Sequence, residues 1–245
     1  MKRESGMRLR LKQQIGCVTW ALLLPAFSWA LEVRTDFRKD SSNGRMVGFA
    51  ESVFPQKPSE IWGVLTQAVH GKLSDRTRAC GGVSDAQVRT LLAGSTQAQA
   101  PLMPVARDRE DALRSQLESS LINPVARVEL GAREERFVYR KISVPIPFTS
   151  DRWFLAREVH DAKSGLSSDQ FSLEIEGLAG NVKHYRSAWT VKPAPAGGAL
   201  VRVDITSDMG ISVPGFLVGL GAKELETSMK RLAGMVEAAG VRKQH

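Results

Sequence analysis

Cysteine is nearly absent from this chain: Cys17 and Cys80 are the only two in 245 residues. Cys17 stands at the start of an apolar run rather than after it, the wrong place for a lipid-anchoring cysteine. With the first thirty residues set aside only Cys80 remains, so no intramolecular disulfide can form and stability must come from an ordinary core. Histidine is sparse as well. His70, His160, His184 and His245 are scattered, with no metal-ligand spacing and no cysteine partners, so neither a metal site nor a cofactor is expected. There is no Gly-x-Ser-x-Gly elbow, no phosphate-cradling glycine loop and no supported nucleophile at Cys80. The carboxylate pairs Glu134/Glu135 and Glu174/Glu176 fall at a turn and on a polar strand face, where solvated surface is the expected role. No cluster of one charge sign follows residue 30, which argues against a nucleic-acid partner.

What is present begins with a targeting pattern. Lys2, Arg3, Arg8, Arg10 and Lys12 precede an apolar run over residues 15–27, and Ser28-Trp29-Ala30 places small residues where a signal peptidase reads. Residues 1–30 are expected to be a signal peptide cleaved after Ala30, the run being shorter than the roughly 20 residues a spanning helix needs. Export to a periplasm or the outside follows. The formal charge of +8 then shrinks: five of the 34 basic residues and one of the 26 acidic ones lie in the first thirty, leaving 29 against 25 and a net +4. That balance leaves room for transient contact with an anionic membrane surface. About 215 residues can bury the core of one domain with a modest insertion.

Along the rest of the chain, residues 31–44 are polar and end in Ser41-Ser42-Asn43-Gly44, which reads as a leader with a turn. The domain is expected over 45–240, with 241–245 as a tail. Residues 46–54 suit a strand that Pro55 stops. Pro58 and Glu60 open a helix whose Ile61, Trp62, Leu65 and Val69 share a face. Residues 71–123 read as a helical and loop insertion, with helices from Ser84-Asp85 to Leu92 and over 108–121, and a loop over 94–104. Strands are then expected at 125–130, 134–144, 152–160, 170–177, 184–192 and 199–207. Their short connections favour antiparallel neighbours, giving seven strands in all. Phe171, Leu173 and Ile175 alternate with Ser172, Glu174 and Glu176, and Val201, Val203 and Ile205 with Arg202, Asp204 and Thr206, so one face is dry and one wet.

The dry face needs a cover, and the last long helix supplies it. Leu217, Leu220, Leu225, Met229, Leu232 and Val236 recur every three to five residues on one face, with Lys223, Glu226, Lys230 and Glu237 off it. Pro214 marks its start and Gly240 its end. Gly219, Gly221 and Gly234 each cost about 1 kcal/mol relative to Ala, so the first turns should be looser.

Three stretches carry a family resemblance. Residues 142–154, Ile-Ser-Val-Pro-Ile-Pro-Phe-Thr-Ser-Asp-Arg-Trp-Phe, are similar to a proline-bearing turn followed by Arg-Asp-Phe, with Trp153 in place of the Asp; residues 187–206 resemble a last hairpin, and residues 211–218 a closing element. The chain resembles the START-like superfamily, the α+β helix-grip fold shared by StAR-related lipid-transfer domains, polyketide cyclase and dehydrase-like proteins, and birch-pollen-allergen-like proteins. The resemblance implies an antiparallel sheet curved around the C-terminal helix, with a pocket between them for a lipid or other apolar molecule.

In residues, Trp153, Leu155, Arg157 and Val159 would face that pocket, and Arg157 would either orient the polar end of a ligand or pair with a structural acid. Phe137, Tyr139, Tyr185 and Trp189 would line it or pack in the core, with Phe171, Leu173, Ile175, Val203 and Ile205 on the dry wall. Phe216, Leu217 and Leu220 would form a gate or seal the core. The expected activity is that of an exported monomeric carrier for sequestration or transfer. A cyclase- or dehydrase-like enzyme, using Arg157 and Tyr139 to polarise a carbonyl, is the alternative.

Overall fold

The computed structural model describes residues 31–241 apart from 69–72, 75, 94–102, 105–106, 123–131, 148, 166–167 and 213. The expected signal peptide, the strand expected at 125–130 and residues 242–245 lie outside the described residues. The elements run β1 Arg34–Lys39, β2 Met46–Phe54, α1 Pro58–Ala68, β3 Thr77–Val83, α2 Asp85–Ala93, β4 Met103–Pro104, α3 Arg107–Ser119 and β5 Arg133–Ile142. They continue with β6 Arg152–Gly165, β7 Ser168–Gly180, β8 His184–Pro193, β9 Ala199–Asp208 and α4 Gly215–Val241. Among the described residues eight strands, not the expected seven, form one sheet in the order β1-β2-β9-β8-β7-β6-β5-β3, with every neighbouring pair antiparallel. The two-residue β4 adds a parallel bridge to the end of β7.

Two expectations of extent are corrected. The stretch read as a leader contains β1, which pairs with β2 from Arg34↔Glu51 to Lys39↔Met46. The turn at 41–44 is therefore a hairpin: the Asp40 carboxylate accepts from Ser42 N at 2.9 Å and Asn43 Nδ2 at 2.8 Å, and Gly44 takes φ 73°. An edge strand has only one partner and carries charges that guard its open side, so it shows no apolar alternation. The insertion likewise contains a strand, β3, beside its two helices. Gly81 lets β3 lie against the segment that follows α3, since a Cβ there would stand 3.1 Å from Leu121 Cβ and Ile122 O. The sequence Thr-Arg-Ala-Cys-Gly-Gly-Val hides that strand because its packing comes from absent side chains.

The inner face of the sheet is covered by α1 and α4. Ile61, Trp62, Leu65 and Ala68 of α1 are fully buried, with Trp62 stacked on Phe171 of β7 at 5.3 Å between centroids. Leu225, Met229, Leu232 and Val236 of α4 join the same core, each contributing about 1.5–3 kcal/mol by leaving water. The wet-face expectation holds on β7 and β9, where Glu174 and Glu176 are exposed and Arg202 lies 4.3 Å over the Phe49 ring while pairing with Glu51 and Asp204. Where the end of β5 meets the start of β6, both faces are buried. Tyr139, Trp153 and Leu155 pack outward with Val83, Val88 of α2 and Leu117 of α3 in a second core.

The glycines of α4 differ in what they do. An added Cβ at Gly221 would fall 2.2 Å from Phe37 Cε1 of β1, whereas at Gly219 and Gly234 it would meet nothing within 4 Å. Gly221 is thus required by close packing, and the other two only cost helix propensity. Gly234→Ala should raise stability by about 1 kcal/mol in thermal melts. Gly221→Ala should lower it despite the same propensity gain, and adding Phe37→Ala should cancel that specific loss in a double-mutant cycle.

Candidate functional site

The space between the inner face and α4 divides into two chambers. The inner one, about 100 Å³, is lined by Ile175 of β7, Tyr185, Ser187 and Trp189 of β8, Val203 and Ile205 of β9, Thr77 of β3, Arg140 of β5, and Leu73, Ser74, Glu224, Leu225 and Ser228. The ladder sets this wall: Ile175, Ser187 and Ile205 share one row across three strands, and Trp189 and Val203 the next. The outer chamber, about 160 Å³, lies between Phe37, Met46, Ile142, Pro145, Met209 and Ile211 and the first turns of α4 at Leu217, Leu220 and Gly221.

Thr77 and Glu224 line both chambers and so form the waist between them. Ser74 Oγ donates to Glu224 Oε1 at 2.6 Å and accepts from the backbone N–H groups of Arg76 at 3.1 Å and Thr77 at 2.8 Å. One serine therefore ties α4 to the segment leading into β3. Pockets for drug-sized molecules run to roughly 300–1,000 Å³, more than the two chambers together, so a ligand of that size must part this contact and also widen the joined space.

The polar end of the inner chamber belongs to a buried charged row. Arg140, 3% exposed, donates from Nε to Glu158 Oε1 at 3.1 Å and also from Nη2, and Glu158 is fully buried. Glu158 Oε2 lies 3.3 Å from His160 Nε2, on a ring that is also fully buried. Beside them Arg136 donates from Nε and Nη2 to Glu134 at 2.7 and 2.8 Å. Burial works against the Arg140 charge, yet the Glu158 carboxylate more than offsets it and holds the guanidinium above its ordinary range. The Arg136 hydrogen bond holds Glu134 below the usual carboxylate range, and burial pushes the Tyr185 hydroxyl up.

Of the residues expected at the site, Ile175, Tyr185, Trp189, Val203 and Ile205 line the inner chamber, and Leu217 and Leu220 the outer. Phe171 and Leu173 lie on the same face but in the core. Phe216, 63% exposed, lines neither chamber. Tyr139, Trp153, Leu155 and Arg157 are corrected: they lie on the outer face, along with Phe137 and Val159. Arg157 there meets Glu176 at 3.2 Å, with both side chains half-exposed, and the Tyr139 hydroxyl donates to Glu118 of α3 at 3.1 Å.

The physical reason is that both parities of β6 begin with large apolar residues, Trp153 and Leu155 on one, Phe154 and Ala156 on the other. The apolar stripes of α2 and α3 claim the first set, while Glu158 and His160 on the second find Arg140 and each other. Arg140, Glu158, Ser74 and Glu224 were not anticipated. The available signal was that Arg140 shares the parity of Ile142, and Glu158 and His160 that of Phe154.

No family model matches this chain, and no curated protein sequence does. Its fold is the START-like helix grip. Human StAR-related lipid transfer protein 5 superposes with a TM-score of 0.50 at 8% identity, over 88% of this chain and 89% of that one. At that identity the likeness is one of fold. Human STARD10 gives 0.49 at 10% identity over 88% and 76%, and the lipid transfer and protein localization domain of human StarD13 gives 0.46 at 10% over 82% and 84%.

Removing one member of the buried pair strands the other's charge. Arg140→Met should cost about 3–5 kcal/mol in urea unfolding, and the double variant Arg140→Met/Glu158→Leu should recover most of it. Arg157→Leu, at a solvent-exposed pair, should change stability by less than about 1 kcal/mol.

Proposed function

We propose that this protein is an exported monomeric carrier that holds a lipid or similar apolar small molecule between its sheet and α4, for sequestration or transfer. The observation that carries the reading is the inner chamber: Ile175, Trp189, Val203, Ile205 and Leu225 give apolar walls, Arg140 with Ser187 and Tyr185 gives a polar end, and Ser74, Thr77, Glu224 and Ser228 add polar groups toward the waist and α4. Such a site suits an amphiphile lying along the sheet with its head toward β5. A buried ion pair is poor value as a source of stability, because an apolar pair of like volume holds a core at least as well. Recognition of a polar head supplies a reason for it. The START-like fold supports the same reading, since human StAR-related lipid transfer protein 5 is a lipid transfer protein by name. Export rests on the basic and apolar pattern of residues 1–30.

The enzyme alternative loses the residues on which it was built, because Arg157 and Tyr139 lie on the outer face, away from both chambers.

Expressed from its full sequence in a membrane-containing host, the protein should be recovered starting at Leu31 and should carry an apolar mass in native mass spectrometry. Repeated recovery of bare protein with no affinity for lipid extracts would overturn the carrier reading. Ser74→Ala, which removes the Ser74–Glu224 hydrogen bond at the waist, should speed uptake and release of a fluorescent fatty-acid probe several-fold in stopped flow. Unchanged exchange rates would show that ligand passage does not use this contact.

A further inference from the structure

The buried row is balanced as it stands. Arg136 is matched by Glu134, and Arg140 by Glu158. Glu158 is shared: Oε1 serves Arg140, whose side chain reaches the inner chamber, and Oε2 faces His160 Nε2. If Nε2 carries the proton toward that carboxylate, Nδ1 keeps a lone pair, and Nδ1 has no partner among the described residues. Around the imidazole stand Glu134 as its β5 neighbour, Arg136 opposite Glu158, Leu173 as its β7 neighbour, and Trp62 of α1 at 6.0 Å between ring centroids. Two carboxylates and an indole are surroundings that accommodate an imidazolium.

A ligand head at Arg140 changes this balance. A neutral head leaves the count as it is. An anionic head adds one negative charge to a chamber that the Glu224 carboxylate also lines, where Coulomb interactions are strong and unmatched charge is costly. Histidine is the side chain suited to restoring balance near neutral pH, and this one touches the carboxylate that competes with the ligand for Arg140. A proton on Nδ1 draws Glu158 toward the imidazolium and leaves Arg140 more available to the anion.

We propose that the inner chamber selects amphiphiles with a singly charged anionic head, a carboxylate or a phosphodiester, and that each anion binds together with one proton taken from solvent onto His160. This rests on the carrier reading. The charge on the head, rather than the chain length alone, then discriminates among ligands, and a fall in pH tightens the grip.

The test is calorimetric titration of the purified protein from pH 6 to 8 with decanoate, decyl methyl phosphate and neutral 1-decanol. For the anions, affinity should rise as pH falls, by up to about tenfold per pH unit, the limit for one linked proton. Repetition in buffers of different ionisation heat should show proton uptake. Decanol should give a flat profile and no uptake. A slope for decanoate alone identifies fatty-acid-like ligands, and one for the phosphodiester alone identifies phospholipid-like ones.

His160→Gln keeps a donor for Glu158 but cannot titrate, so the anion slope should vanish. Glu158→Gln removes the competitor, so its anion affinity at pH 8 should exceed that of the wild type. Should that variant not fold, the wild-type profile and His160→Gln decide. A flat anion profile in the wild type, a slope that survives His160→Gln, or the same slope for decanol overturns the proposal. Binding of decanol with none of either anion also overturns it and leaves the carrier reading standing, whereas no binding of any probe overturns both.

Discussion

The ladder between β6 and β7 constrains everything around it. Leu173 and Ile175 must face α1 and α4, and their cross-strand partners on β6 are His160 and Glu158. Residues opposite one another in a ladder share a face, so two ionisable groups are carried into the interior by the burial of two apolar ones. The β5 partners of these groups are Glu134 and Arg136, and Arg140 two rows on completes the pairing with Glu158. The same register turns Tyr139, Trp153 and Leu155 outward, where α2 and α3 cover them. One choice of parity thus produces the charged row inside, the second core outside and the polar end of the cavity.

The two helices on the inner face divide the remaining work. α1 packs against the core, with Trp62 stacked on Phe171. α4 begins over open space. Its first turns line the outer chamber, its Gly221 receives the ring of Phe37, and burial of its apolar stripe starts only at Leu225. The Ser74–Glu224 hydrogen bond stands at the boundary between the two regimes, and the half of α4 before it is the half with few buried apolar side chains. α4 is thus packed into the core along its second half, while its first turns meet the rest of the protein through the Phe37 ring and the Ser74–Glu224 hydrogen bond.

Elements were legible wherever one segment carried its own signal. The stripe from Leu225 to Val236 announced α4, the alternation at 171–176 and 201–206 announced β7 and β9, and Pro58 with Glu60 announced α1. β1 and β3 were not legible, because an edge strand rich in charge and a strand built on Gly81 and Gly82 owe their pairing to partners elsewhere in the chain. The wall of the cavity on β7, β8 and β9 followed from alternation, as Ile175, Trp189 and Val203 show. Its polar end did not follow, because on β6 Trp153 and Phe154 are equally convincing core residues and nothing local ranks them.

Composition and periodicity by themselves determined an α+β chain with a half-dry antiparallel sheet closed by a C-terminal amphipathic helix, because burial of apolar stripes at periods of 2 and 3.6 residues is a local property of the chain. Only the tertiary structure decided which face of β5 and β6 is inside, that Arg140 rather than Arg157 meets the cavity, and that Glu224 reaches Ser74. Those are contacts between residues up to 150 positions apart, and they are settled by which pairs of charges and which apolar surfaces find one another when the sheet closes.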